Sequence, residues 1–212
     1  MTVKADMISM SVIRRLPRYY RFLYDLKQNG VTRISSHELA KRMGLTASQI
    51  RQDLNCFGEF GQQGYGYSVD QLYDALYHIL GVSTPSSAIL LGAGNLGRAL
   101  VNHMSFENKG FKLVGVFDDS DALVGSKIHD ITVQPTTLLE EFCKTHSPQL
   151  AILCIPKETA PGLVERLRQC GVNAFWNFSH YDIALRYPDA LVENVHLGDS
   201  LMTLSYRLNR NE

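Results

Sequence analysis

Ala88-Ile89-Leu90-Leu91-Gly92-Ala93-Gly94-Asn95-Leu96-Gly97-Arg98-Ala99-Leu100 is the stretch whose reading decides the fold. Four apolar residues in a row suit a strand buried on both faces. Three glycines follow at once in G-x-G-x-x-G spacing, and a helical pattern runs from Leu96 to Met104. In that setting the first glycine allows a tight turn, the second lets backbone approach a pyrophosphate, and the third packs helix against strand. The helix N-terminus then offers free N–H groups and a positive dipole end to phosphates. Gly92, Ala93, Gly94, Asn95, Leu96 and Gly97 are therefore candidate dinucleotide-binding residues.

Downstream, Leu113-Val114-Gly115-Val116-Phe117 reads as a second buried strand and ends on Asp118, about 20 residues past the motif, where an acid accepts hydrogen bonds from ribose hydroxyls. That acid favours NAD(H), because it repels a 2′-phosphate and the following Asp119-Ser120-Asp121 supplies no arginine. Leu150 to Ile155 and Val172 to Asn177 read as further strands, with helical patterns at Thr137 to Cys143 and Thr159 to Cys170. Strand-helix alternation of this kind predicts a parallel sheet of βαβ units, a Rossmann domain over residues 88–195. Pro156, Asn177 and Phe178 fall just after later strands, at the carboxyl edge where such sheets bind ligands, and are candidates for the nicotinamide half.

Upstream, Gly81 to Ser87 is small, polar and proline-containing, and residues 82–87 read as a linker. Residues 1–81 read as helical, with helices expected near Arg18 to Gln28, Ser36 to Met43, Ala47 to Asn55 and Val69 to Leu80. Ser35 to Glu38 and Thr46 to Gln49 fit capping boxes, joined through Gly44-Leu45. That is the grammar of a helix-turn-helix. Its second helix carries Ser48, Gln49, Arg51 and Gln52, and Arg and Gln can pair bidentately with guanine and adenine edges. The glycine- and aromatic-rich stretch from Phe57 to Tyr67 predicts a hairpin wing with Gln62-Gln63 at its tip. Arg14, Arg15 and Arg18 are placed to hold phosphates.

Charge supports this division. The chain is neutral overall, yet residues 1–56 carry ten Lys/Arg against four Asp/Glu and the remainder eleven against seventeen, a split of +6 and −6. A basic module suits a polyanion such as double-stranded DNA. Composition is that of an ordinary globular protein, 45% apolar and 20% charged. No apolar run nears the ~20 residues of a membrane span, and Met1 to Met10 lacks the features of a signal peptide, so a cytoplasmic location is expected. Cys56, Cys143, Cys154 and Cys170 lack metal-site spacing and read as buried thiols, with a redox role for Cys56 resting on its position alone. No catalytic residue stands out, since His180 and His196 have no evident orienting partner and only about 35 residues follow Asn177, too few for a substrate domain. A NAD-dependent oxidoreductase with a fused helical domain, and a CoA- or nucleotide-binding scaffold, remain the alternatives on the residues alone.

Arg15-Leu16-Pro17-Arg18-Tyr19-Tyr20-Arg21, Thr46 to Leu54, Phe57-Gly58-Glu59-Phe60-Gly61, Gly64-Tyr65-Gly66-Tyr67, the glycine motif, and Val192-Glu193-Asn194-Val195 with Leu204-Ser205-Tyr206 together resemble the Rex family. The resemblance spans nearly the whole chain. It implies a redox-sensing repressor: a homodimer whose winged-helix domains bind a palindromic operator and release it when NADH occupies the Rossmann domains, with NAD⁺ competing. It also implies that residues 196–212 form a dimerisation helix exchanged between subunits. Some positions depart from the common family pattern: Gln52 and Gln62-Gln63 stand where cations are frequent, Ser179-His180 where Ala-Pro is, and His196 where Asp is.

Overall fold

The computed structural model describes residues 8–58, 60–62 and 65–210. Two compact units divide between Thr84 and Pro85.

The N-terminal unit begins with a short helix α1 (Met10–Ile13) and a long one, α2 (Leu16–Gln28), which opens on Pro17, a residue preorganised for a first helical turn. A strand β1 (Arg33–Ile34) leads to α3 (Ser36–Met43) and α4 (Ala47–Asn55). Ser35 caps α3 through the Glu38 N–H at 3.0 Å, and Thr46 caps α4 through the Gln49 N–H at 3.1 Å. The return bonds of full capping boxes are not made, because the Glu38 side chain turns to Arg42 and that of Gln49 to Asp53. Between the helices Gly44 takes the left-handed conformation that ends α3. Strands β2 (Gly61–Gln62) and β3 (Gly66–Ser68) follow, and β3 pairs antiparallel with both β1 and β2 in a small sheet ordered β1-β3-β2. Helix α5 (Val69–Ile79), capped by Ser68, closes the unit. Leu16, Tyr19, Leu23, Leu39, Ile50, Leu54, Leu72 and Leu76 share one core. The α3-turn-α4 pair with the hairpin sheet beside it makes this a winged helix-turn-helix.

The second unit is built on a seven-stranded sheet in the order β10-β9-β8-β4-β5-β7-β6. Its strands are β4 (Ser86–Leu91), β5 (Phe111–Phe117), β6 (Lys127–Ile128), β7 (Ile131–Gln134), β8 (Leu150–Leu153), β9 (Ala174–Asn177) and β10 (Leu191–Asn194). All pairs are parallel except β6 with β7. The predicted linker 82–87 is shorter than expected, since Ser86 and Ser87 already pair with Phe111 and Lys112. Helices α6 (Asn95–His103), α7 (Leu139–His146), α8 (Ala160–Gln169) and the single turn α9 (Ile183–Arg186) connect the strands. Two apolar clusters fill the two faces of the sheet, one with Leu91, Phe117 and Phe175, the other with Leu90, Val116 and Ile152. This is the doubly wound Rossmann arrangement, and the chain reverses its winding between β4 and β8. A last helix, α10 (Leu197–Leu208), has no buried residue.

Candidate functional site

At the carboxyl ends of β4 and β8 lies a cleft of about 270 Å³ lined by Gly92, Gly94, Asp118, Asp119, Thr136 and Pro156, among others. It sits at the switch point where open α/β sheets bind ligands. Gly92 has φ +96°, and a Cβ there would stand 2.3 Å from the Cys154 carbonyl oxygen. Gly97 allows α6 to cross so close that a Cβ would lie 1.9 Å from the Gly92 oxygen. Gly94 differs from both. Its φ is −66°, and a Cβ there would meet nothing within 4 Å, so neither conformation nor packing within the chain requires glycine. It also begins α6 with no side-chain cap, leaving the first-turn N–H groups for an anion, while Asn95 and Leu96 are exposed on that turn. Ala93 is buried and donates its N–H to Asp118 at 2.7 Å.

The other Asp118 oxygen accepts from the Ser120 N–H at 2.8 Å. An ionised carboxylate has about four acceptor sites, so capacity for a ribose remains. Asp119, which sequence reading passed over, accepts from the N–H and hydroxyl of Thr136 at 2.9 and 2.8 Å and thereby fixes the cleft wall. Arg166 braces that wall from behind, donating to the Thr136 carbonyl and to both oxygens of Glu140. Those hydrogen bonds from Arg166 hold the Glu140 carboxyl down at about 2. Of the four thiols expected to be buried only Cys143 is so, whereas Cys56, Cys154 and Cys170 are partly exposed; desolvation still pushes the Cys154 thiol up to about 12.

Pro156 lines the cleft, but Asn177 and Phe178 do not. Asn177 is fully buried, and its amide is engaged within the protein: Oδ1 accepts from the Ser179 N–H and hydroxyl, and Nδ2 donates to the Tyr181 carbonyl and Asn194 Oδ1. It organises the loop after β9 instead of facing a ligand, a correction to its expected role. Phe178 is half-buried against Trp176, ring centroids 4.7 Å apart. His180 and His196 do have a partner, each other: their Nδ1 atoms are 2.7 Å apart and their rings stack.

In the N-terminal unit, Ile50, Asp53 and Leu54 are buried on one side of α4, while Ser48, Arg51, Gln52 and Asn55 are exposed at helical spacing on another. Arg51 is oriented by a 3.0 Å bond to the Ser36 hydroxyl. Arg14 and Arg18 are exposed, Arg18 over the Phe22 ring. Arg15 and Gln49 are not free to reach DNA as expected. Arg15 grips buried Asp53 with two 2.7 Å bonds, and Gln49 Nε2 and the Tyr19 hydroxyl donate to the same carboxylate at 2.8 and 2.7 Å. Burial alone would raise the Asp53 pKa, but the bonds from Arg15, Tyr19 and Gln49 outweigh it and the pKa is lowered. Arg15 and Tyr19 thus tie α4 to α2 through Asp53, while Gln49 holds the same carboxylate from within α4. On the wing, Gln62 lies in β2 and Gln63 lies outside the described residues. Arg33, missed in the sequence, is exposed on β1 and donates to the Tyr65 carbonyl at 3.1 Å, beside the wing.

A winged helix with an exposed polar stripe, followed in one chain by a dinucleotide-type Rossmann cleft, defines the class of transcription regulators whose DNA binding answers to a nucleotide. Residues 7–55 match the family described as "Putative DNA-binding protein N-terminus" and residues 83–181 the "CoA binding domain" family. The chain is 53% identical to the redox-sensing transcriptional repressor Rex of Thermoanaerobacter sp. (strain X514), covering 99% of this chain and 93% of that one. It is 47% identical to Rex of Clostridium perfringens (strain SM101 / Type A), covering 97% and 96%. Among solved structures, a complex of RSP with β-NAD⁺ and operator DNA superposes with a TM-score of 0.90 at 52% identity, over 97% of this chain and 94% of that one. RSP with β-NADH gives 0.88 at 49%, over 97% and 96%. The chain belongs to the Rex family of redox-sensing transcriptional repressors.

Proposed function

We propose that this protein is a transcriptional repressor, not an enzyme, that senses the NADH/NAD⁺ ratio, binding a palindromic operator as a homodimer and releasing it when NADH binds. One observation carries the reading: over almost its full length the chain is half identical to a repressor solved with NAD⁺ and operator DNA together. Its own residues agree. Residues 1–81 serve as the DNA-binding domain, with Ser48, Arg51, Gln52 and Asn55 toward the major groove, Arg14 and Arg18 toward phosphates, and Gln62-Gln63 on the wing. Residues 88–195 read the cofactor, pyrophosphate at Gly94 and the first turn of α6, adenosine ribose at Asp118. Two carboxylates in the cleft, Asp118 and Asp119, disfavour both the 2′-phosphate of NADP and the ribose phosphate of CoA, and the neighbouring cation Arg166 is already paired with Glu140.

Residues 196–212 carry exposed Leu197, Leu201, Met202, Leu204 and Leu208, an apolar surface that a second copy covers by exchange of the helix. No helix among the described residues is long and apolar enough to cross a membrane, and we place the protein in the cytoplasm. NADH and NAD⁺ share the adenosine and pyrophosphate contacts, so discrimination arises at the nicotinamide end, where the apolar lining near Pro156, with Ile155 and Leu163, favours the neutral ring over the cation. The test is a gel-shift titration on a palindromic site at fixed total cofactor while the reduced fraction is varied. Occupancy falls as NADH replaces NAD⁺; a flat response with both cofactors bound refutes the sensor.

A further inference from the structure

The bond between His180 and His196 lies at the entrance to α10. The 2.7 Å contact joins Nδ1 to Nδ1, so one ring donates and the other accepts. Two arrangements satisfy it: both rings neutral with one Nδ1–H between them, or one ring cationic and donating to the other. If both rings are protonated, two donors and two positive charges face each other, and the bond breaks.

The two partners differ in how firmly they are held. His180 is flanked by Ser179 and Tyr181, both pinned by the buried Asn177 amide, and its own backbone has φ +60°. Its ring therefore stands on a rigid pedestal. His196 is the N-cap of α10, a helix with no buried residue. Its backbone is tied to the sheet just before it, through the Val195 N–H to the Asn177 carbonyl, and the ring pair is the side-chain bond that fixes the direction of departure. The ionisable groups nearest the pair in sequence are Tyr181 and Asp182 after β9, Glu193 on β10, and Asp199 in the first turn of α10, whose N–H donates to the His196 carbonyl.

We propose that His180 and His196 form a proton-operated latch on α10, closed while the rings share a proton and open when both are protonated. Imidazole is the side chain whose charge ordinarily changes between about pH 5 and 8, so acidification within the physiological range is the signal. The consequence for DNA rests on the reading of α10 as the dimerisation helix: loosening its entrance relaxes the spacing of the two DNA-binding domains and weakens operator binding.

The experiment uses the full-length protein with ¹⁵N-labelled histidine, beside His180→Asn and His196→Gln. Asparagine is the side chain best suited to the left-handed backbone of position 180, and either substitution removes the pair, so one folded variant suffices. In the wild type, the two rings titrate as a coupled pair, and hydrogen-exchange protection of residues 197–200, corrected for intrinsic exchange, falls roughly fivefold or more from about pH 7.5 to about pH 5.5. In the variants the remaining ring titrates singly and protection changes less than about twofold. Operator affinity follows the same contrast. Independent titration of the rings, or superimposable exchange profiles in wild type and variant, overturns the latch. Failure to bind any palindromic DNA at neutral pH defeats the repressor reading instead, and leaves the ring titration and exchange to decide the latch.

Discussion

Replacing Asp53 by alanine tests the architecture of the DNA-binding unit most directly. The carboxylate is fully buried, while the Arg15 side chain that grips it remains 28% exposed. Removing one partner of a buried ion pair costs about 3–5 kcal/mol, and the partial exposure of Arg15 places this pair near 3. The buried Tyr19 hydroxyl loses its acceptor as well, adding about 1 kcal/mol. A loss of ~4 kcal/mol in a unit of this size lowers its Tm by roughly 15–30 °C. Asp53→Asn retains the shape and one acceptor and falls between the two. Trp176, the single tryptophan, reports the Rossmann unit, so the transition of the N-terminal unit is followed by tyrosine fluorescence and calorimetry. The sign with pH is fixed by the lowered pKa of Asp53: its contribution is complete above the ordinary aspartate value near 3.9 and is lost as pH falls through the folded-state value. The difference between wild type and Asp53→Ala is therefore constant from pH ~8 to ~5 and narrows below ~4. A difference under about 1 kcal/mol at neutral pH, or one that does not narrow in acid, refutes the assignment. Operator binding falls with stability, whereas NADH affinity, housed in the other unit, stays as it was.

Arg51→Ala weakens operator binding by about 1–3 kcal/mol if the side chain reads a base edge, with NADH affinity unchanged; a gel shift at fixed salt checks both. Gly94→Val leaves a folded protein by circular dichroism but abolishes NADH binding in calorimetry, because the space it fills is empty in the chain alone, whereas Gly97→Ala must displace the Gly92 carbonyl and destabilises the domain itself. Asp118→Ala also weakens NADH binding, and unchanged affinity in both Gly94→Val and Asp118→Ala would remove the site from this cleft. Truncation after His196 converts the dimer to monomers or aggregates in sedimentation, and a well-behaved truncated dimer would exclude α10 as the dimerisation element.

The glycine loop, Asp118 and the Ser35 and Thr46 caps were legible because each expresses local chemistry at fixed spacing. The bonds of Arg15 and Gln49 to Asp53 were harder to foresee, because Arg15 meets a residue 38 positions along the chain and Gln49 borders both the exposed stripe and its buried i,i+4 neighbour. A signal existed: Asp53 lies three residues after Ile50 and beside Leu54, on the apolar side of α4, and a charge there must be paired from elsewhere. Asn177 misled for a related reason, since a polar residue at the carboxyl end of a Rossmann strand can face the ligand or tie down its loop, and only the partners Ser179, Tyr181 and Asn194 decide. Strand β10 was hidden because Leu191-Val192-Glu193-Asn194 alternates like an edge strand, with Leu191 itself exposed, and shows no continuous apolar run. Gly94 and α10 are informative in the opposite way. Among the described residues nothing requires the absence of a side chain at one or covers the leucines of the other, as the proposed reading expects if a phosphate meets the first and a second subunit the second. Where packing, backbone conformation and hydrogen bonding within the chain leave a residue unexplained, the explanation is sought in a partner, and those two places are the ones that the proposed ligand-controlled dimer would use.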